Sequence, residues 1–201
     1  MFVQVIQAET NDPEAVRAAL DRWLAEISPG ASGWLGTTTG VTDDGRLITL
    51  ARFDSEESAR KSSDRPEQTA WWAETAKHLT DDVIIDESTR VVAEEPGNLD
   101  RAGFVQVMRG ESRDPDRAFE LVRQNGPLMA RERPEILGRL IAQHDGGRYT
   151  MALYFTSEQE AREGERKPPP PEMMQSMREL NVLSGQPEFF DLREPWLQSP
   201  R

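Results

Sequence analysis

The chain has 201 residues, no cysteine, two histidines and 24 basic against 36 acidic residues, for a formal charge of −12 at pH 7. Without thiols it has no disulfide framework, thiolate metal site or cysteine nucleophile, and its acidic balance opposes phosphate backbones and anionic lipid surfaces. The opening MFVQVIQAETNDPE lacks the basic and apolar regions of a secretory signal, and no stretch reaches the roughly 18 apolar residues of a membrane span, so a cytoplasmic protein with no nucleic-acid or membrane partner is expected.

Residues 2–8 alternate β-branched or aromatic with polar side chains, the pattern of a half-buried strand. Asp12-Pro13 then supplies a capping carboxylate and a proline at the first helical position, and Val16, Ala19, Leu20, Trp23, Leu24 and Ile27 follow at helical spacing. Runs 34–42 and 46–53 flank Asp43-Asp44-Gly45, a turn sequence that predicts an antiparallel hairpin. Ser55-Glu56-Glu57-Ser58 starts a further helix, with acidic residues near the positive end of the helix dipole. A proline break precedes a helix over about 66–79, and a strand over 82–93 closes the set.

The same elements then recur. Phe2-Val3-Gln4-Val5 returns as Phe104-Val105-Gln106-Val107, an offset of 102 that continues without a gap through Asp12-Pro13 with Asp114-Pro115, Leu35-Gly36 with Leu137-Gly138, and Ser55-Glu56 with Ser157-Glu158. About a quarter of roughly 73 aligned pairs are identical, which points to a tandem duplication. The second copy reads as strand 104–110, a helix carrying Phe119, Leu121, Val122 and Leu128, hairpin 136–143 with 148–155 across Asp145-Gly146-Gly147, a break at Pro168–Pro171, helix 172–182 and strand 187–192. Each copy is βαββαβ, a ferredoxin-like α+β arrangement with helices on one sheet face. A lone sheet of this kind leaves its other face bare, so the two repeats are expected to form one intrachain pseudo-dimeric α/β barrel, completed by the single chain. The expected boundaries are 1–94 for the first repeat, 95–103 for the connector and 104–201 for the second repeat.

With these elements in place, the junction Phe53-Asp54-Ser55-Glu56-Glu57-Ser58-Ala59 and its copy Phe155-Thr156-Ser157-Glu158-Gln159-Glu160-Ala161 resemble the aromatic–x–Ser–x–x–x–Ala step of the dimeric α/β-barrel superfamily, and within it the antibiotic-biosynthesis-monooxygenase-like domains. The resemblance covers nearly the whole chain, twice. It implies a small-molecule-binding protein similar to cofactor-independent monooxygenases of aromatic or polyketide-like substrates, in which the substrate itself activates dioxygen and no cofactor or metal is needed. Members also include non-catalytic modules that keep the barrel without a site, and that reading stands beside the first. Haem degradation is a third. Its strand Asn falls at Gln7 and Arg109, its helix Trp near Ser62 and Gly164, and its iron-ligating His near Trp72 and Met174, so the ligand residues are missing here.

Four residues are therefore candidates for a ligand pocket between helices and sheet: Arg109, Tyr154, Gln7 and Trp72. Arg109 and Gln7 differ between the copies where the resemblance places a polar pocket group, and a desolvated guanidinium would favour an anionic ligand on the helix side of the sheet. Tyr149 and Tyr154 share a strand and point to opposite faces, so their surroundings must differ. Trp71 and Trp72 diverge by about 100° on one helix, so only one of them need be core. Gln4 and Gln106 should be paired by cross-strand hydrogen bonds, while His78 and His144, in non-equivalent places, are expected at the surface. The copies also differ in charge: residues 1–100 hold 9 basic and 20 acidic groups, residues 101–201 hold 15 and 16.

Overall fold

The computed structural model describes residues 1–80, 82–95 and 99–200. Part of the connector 95–103 and Asp81, beside His78, thus lie outside the described residues. Two compact units are present, Met1–Thr89 with Glu194–Arg201, and Arg90–Arg193. The first contains β1 (Phe2–Glu9), α1 (Pro13–Arg22), β2 (Trp34–Val41), β3 (Arg46–Phe53), α2 (Glu56–Ser63), α3 (Pro66–Thr75) and β4 (Ile84–Ser88). The second contains β5 (Arg90–Glu94), β6 (Phe104–Glu111), α4 (Pro115–Gln124), α5 (Gly126–Glu132), β7 (Ile136–Gln143), β8 (Arg148–Phe155), α6 (Glu158–Glu165), α7 (Pro171–Leu183) and β9 (Glu188–Leu192), after which β10 (Trp196–Gln198) returns to the first.

The capping residues act as their spacing predicts. Asp12 and Asp114 carboxylates each accept a backbone N–H at 3.0 Å, from Ala15 and Arg117, and the hydroxyls of Ser55 and Ser157 accept from Ser58 and Glu160 at 3.2 and 3.3 Å. Each such cap stabilises its helix by about 1 kcal/mol. Glycine takes the positive-φ positions of both hairpin turns, Gly45 at 86° and Gly146 and Gly147 at 71° and 79°, which side chains with a Cβ rarely adopt.

Both sheets are antiparallel with the same strand order, β10-β2-β3-β1-β4 and β5-β7-β8-β6-β9. They are two separate ladders, each with open edges, and hydrogen bonding does not close them into the barrel expected from the repeat. The expected strand 82–93 divides at Thr89: β4 pairs with β1, whereas β5 pairs with β7 of the second sheet. In the same way β10, beyond β9, pairs with β2 of the first sheet. Each sheet thus takes its fifth strand from the segment that follows the other's closing strand, and the units part at Thr89/Arg90 and Arg193/Glu194 instead of at 94 and 104. The offset of 102 holds from β1/β6 through α2/α6, after which Pro168 to Pro170 delay α7.

Helices cover one face of each sheet. In the first unit Phe2, Trp34 and Phe53 of the sheet bury against Trp23, Ile27 and Ala59. In the second, Phe104, Ile136 and Phe155 bury against Ala161, with Met129 of α5 packed beside them. A strand glutamine is tethered to the opposite residue of the ladder in both, Gln4 donating to Glu87 at 2.9 Å and Gln106 to Asp191 at 3.2 Å, and Gln106 donates also to Glu165 at 3.0 Å. Arg60 and Arg162 pair with those same carboxylates and lie over Phe2 and Phe104 at 5.9 and 5.4 Å. Of the histidines, His144 is buried and not at the surface, its Nε2 3.0 Å from the Thr150 hydroxyl; His78 is partly buried.

Candidate functional site

The second unit holds a cavity of about 170 Å³ between its sheet and the helices α4 and α7. Ile141 and Gln143 of β7 and Tyr149 and Met151 of β8 form its floor, because alternate residues of adjacent strands share one face. Ala118, Phe119 and Val122, at helical spacing on α4, form one wall, and Leu180, Asn181 and Ser184 at the end of α7 form the other. The two walls are tied together: the Asn125 amide donates to the Ser176 hydroxyl at 2.9 Å, and Arg117 pairs with Glu179 at 2.5 and 2.9 Å. Arg113 N–H donates to the Leu183 carbonyl at 2.8 Å, fixing the end of α7 to the segment after β6.

The lining is apolar except for Ser112, Gln143, Tyr149, Asn181 and Ser184, none of them charged at neutral pH. Tyr149 is the group with chemical reach. It lies opposite Gly110 in the β6–β8 ladder, where a Cβ would stand 2.9 Å from its hydroxyl oxygen, so the phenol occupies space that only glycine leaves. Burial pushes its ionisation above the ordinary tyrosine value of 10.0, keeping it a proton-bearing donor at neutral pH. Its hydroxyl makes no hydrogen bond to a described residue.

The four residues expected from the sequence are not brought together here. Arg109 faces Thr150 and Glu188 across its neighbouring strands, and Tyr154 faces Val105, so both lie on the sheet face opposite Tyr149 and Met151. The expected helix-side cavity around Arg109 and Tyr154 is therefore not formed; a shift of one residue along a strand exchanges the faces. Gln7, opposite Ile48 and Ile84, is likewise on the face away from Gln4 and Ile6. Trp72 is partly buried on α3, its ring 6.0 Å from that of Trp71, and borders no cavity described here. The signal for Tyr149 was present in its opposition to Tyr154; what decides between them is the ladder register with Gly110.

The corresponding space in the first unit is filled. Leu47 stands where the second unit has Tyr149, and packs with Val16 and Leu20, while Trp71, Leu79, Val83 and Trp196 close over it. The fifth strands exchange partners too. Arg17 of α1 lies 5.8 Å from the Trp196 ring, whereas in the second unit Arg90 of β5 lies 4.5 Å from the Phe119 ring of α4. Ring and guanidinium have changed sides, which puts the large indole inside the first unit and leaves the second one open.

Three solved structures share this architecture from end to end. A candidate monooxygenase of Fusobacterium nucleatum aligns over 98% of this chain and 94% of its own at a TM-score of 0.79 and 8% identity. A candidate monooxygenase of Lactobacillus acidophilus aligns over 98% of both chains at 0.72 and 12%, and an anthrone oxidase-like protein over 100% and 91% at 0.70 and 12%. The chain has the ferredoxin-like fold of these structures, in two copies. No protein-family model and no curated protein matches the sequence. In this chain the fold consists of two βαββαβ units, with the cavity beside Tyr149 open in the second and the corresponding space in the first packed shut. Among the described residues no three His, Asp or Glu side chains are grouped to hold a metal ion, and no helix is long and apolar enough to cross a membrane.

Proposed function

We propose that the second unit binds a small, uncharged aromatic molecule whose carbonyl or ether oxygen accepts a hydrogen bond from Tyr149. The observation that carries this reading is the Tyr149 hydroxyl, a protonated donor in an apolar cavity with no acceptor among the described residues. Size narrows the ligand. An engineered apolar cavity of about 150 Å³ in an unrelated protein takes up benzene, so about 170 Å³ suits a single ring, and a fused polycycle would have to project through the opening. Charge narrows it further: the lining offers no cation to an anionic ligand, and the anion-binding role envisaged for Arg109 has no support at this site.

Acetophenone is a suitable probe, with one ring and one acceptor. Titrated calorimetrically, it should saturate at one site per chain, benzoate should not bind, and Tyr149→Phe should weaken acetophenone about three- to tenfold, the value of one hydrogen bond of roughly 0.5–1.5 kcal/mol. Equal affinity in the phenylalanine variant would remove Tyr149 from the site.

A catalytic reading is favoured by the likeness to an anthrone oxidase-like protein. In it the bound aromatic would itself deliver electrons to dioxygen, without cofactor, while Tyr149 holds its oxygen. No lining side chain is a base at neutral pH, so the substrate would bind neutral and lose its proton to solvent. Oxygen uptake with monocyclic hydroquinones, absent in Tyr149→Phe, would establish this; unchanged uptake over the uncatalysed rate would leave a binding module.

A further inference from the structure

A second cavity, of about 80 Å³, lies on the helix side of the sheet in the first unit and shares no residue with the one above. Its walls are three of the chain's five tryptophans: Trp23, Trp34 at the start of β2, and Trp71 on α3. Trp23 heads a π-helical turn, Trp23–Ile27, a wide-turn feature that recurs at functional sites. The Trp23 and Trp34 rings are 4.9 Å apart at 74°, and the Trp23 and Trp71 rings 6.4 Å apart at 61°, so the indoles stand at steep angles to one another around the space.

Every indole N–H in this cage is already committed. Trp23 donates to the Gln68 side-chain oxygen at 2.6 Å, Trp34 to the Thr37 hydroxyl at 2.9 Å and Trp71 to the Ala19 carbonyl at 2.7 Å. The tryptophans thus offer ring surface and no donor. The cavity contains one orphaned acceptor. Gln198 of β10 is only 8% exposed; its amide nitrogen donates to the Leu20 carbonyl at 3.3 Å, while its Oε1 is buried without a partner. A buried amide oxygen left in this way costs about 1–3 kcal/mol, which a ligand bringing a donor would recover.

Three properties then define the ligand. Indole faces carry the negative side of the ring quadrupole and attract cations. A single acceptor suits a single N–H, since a primary ammonium would leave two of its three donors stranded. The surrounding sequence is acidic, with 20 acidic against 9 basic groups in residues 1–100, and its field concentrates cations. We propose that the first unit carries a binding site for a small tertiary ammonium group, its one N–H directed at Gln198 Oε1 and its alkyl carbons against Trp23, Trp34 and Trp71. The lining includes Ser63, an exposed residue at the end of α2.

Tryptophan fluorescence of the full chain at constant ionic strength tests this with three probes of similar size: trimethylammonium, which has charge and donor; tetramethylammonium, which has charge alone; and tert-butanol, which has a donor alone. Trimethylammonium should saturate and bind at least fivefold more tightly than the other two. Gln198→Leu should erase its advantage over tetramethylammonium, and Gln198→Glu should tighten it. Absence of saturable binding by the wild-type chain, or tert-butanol matching trimethylammonium, would overturn the proposal, and neither outcome depends on a variant folding.

Discussion

Tyr149 and Gly110 are coupled by size, since the phenol lies where any side chain at 110 would begin. Gly110→Ala should therefore push the ring into the cavity, destabilise the chain by about 1–3 kcal/mol in urea unfolding and abolish acetophenone binding. The ring's own ionisation gives an independent check. Its folded pKa is raised by burial, so the stabilisation it contributes is complete below the ordinary value of about 10 and is lost as pH rises through the folded value. Unfolding midpoints should fall above about pH 10 in the wild type and less steeply in Tyr149→Phe. Residues of this kind are where the sequence was least legible. Arg109 and Tyr154 have the chemistry of a pocket, but a strand's parity cannot be anchored until one of its residues is known to face a helix. In contrast, the pairing of Gln4 and Gln106 follows from burial alone, because an amide among apolar neighbours must find a partner, and Glu87 and Asp191 supply it.

Elements up to the end of α2 and α6 are written plainly in the sequence, through capping residues, glycine turns and alternation, and the hairpin 136–143 with 148–155 lies where the pattern puts it. The fifth strands are not. Nothing in Ile-Ile-Asp-Glu-Ser-Thr-Arg-Val-Val marks a change of sheet at Thr89, since no glycine or proline interrupts the β-branched run and both halves of it are good strands. Those strands matter beyond their length. β10 covers the edge of β2, packs Trp196 against the first unit's core and delivers Gln198 to the tryptophan cage. A chain ending at Arg193 should thus expose the hydrogen-bonding edge of β2, an invitation to pair with another copy. Light scattering should show it associating more strongly than the full chain, and an unchanged molar mass would show that the edge is protected in some other way.

For the molecule as a whole, the net charge of −12 coexists with carboxylates that are individually well served. Glu120 is held at about 2 by hydrogen bonds from Arg123 and Gln124, and Glu57, Glu74, Glu158 and Glu179 lie below the usual carboxylate range through Lys61, Lys77, Arg193 and Arg117. Because these folded values are depressed, their contribution is present above the unfolded value of about 4.5 and disappears as pH falls toward 2. Melting temperature should hold between pH 7 and 5, where self-repulsion eases and the ion pairs persist, then decline below about pH 4; a rise throughout that range would mean that relief of repulsion outweighs the pairs. The exchange of fifth strands also sets an order of completion during synthesis. β2 is made early, but the strand that covers its edge follows β4 by roughly 100 residues, an interval of about 5–20 s at ordinary elongation rates. Throughout it the nascent first sheet has a bare edge and lacks both Trp196 and Gln198, so the tryptophan cage is the last part of the first unit to be finished, after the whole of the second unit has left the ribosome's active site.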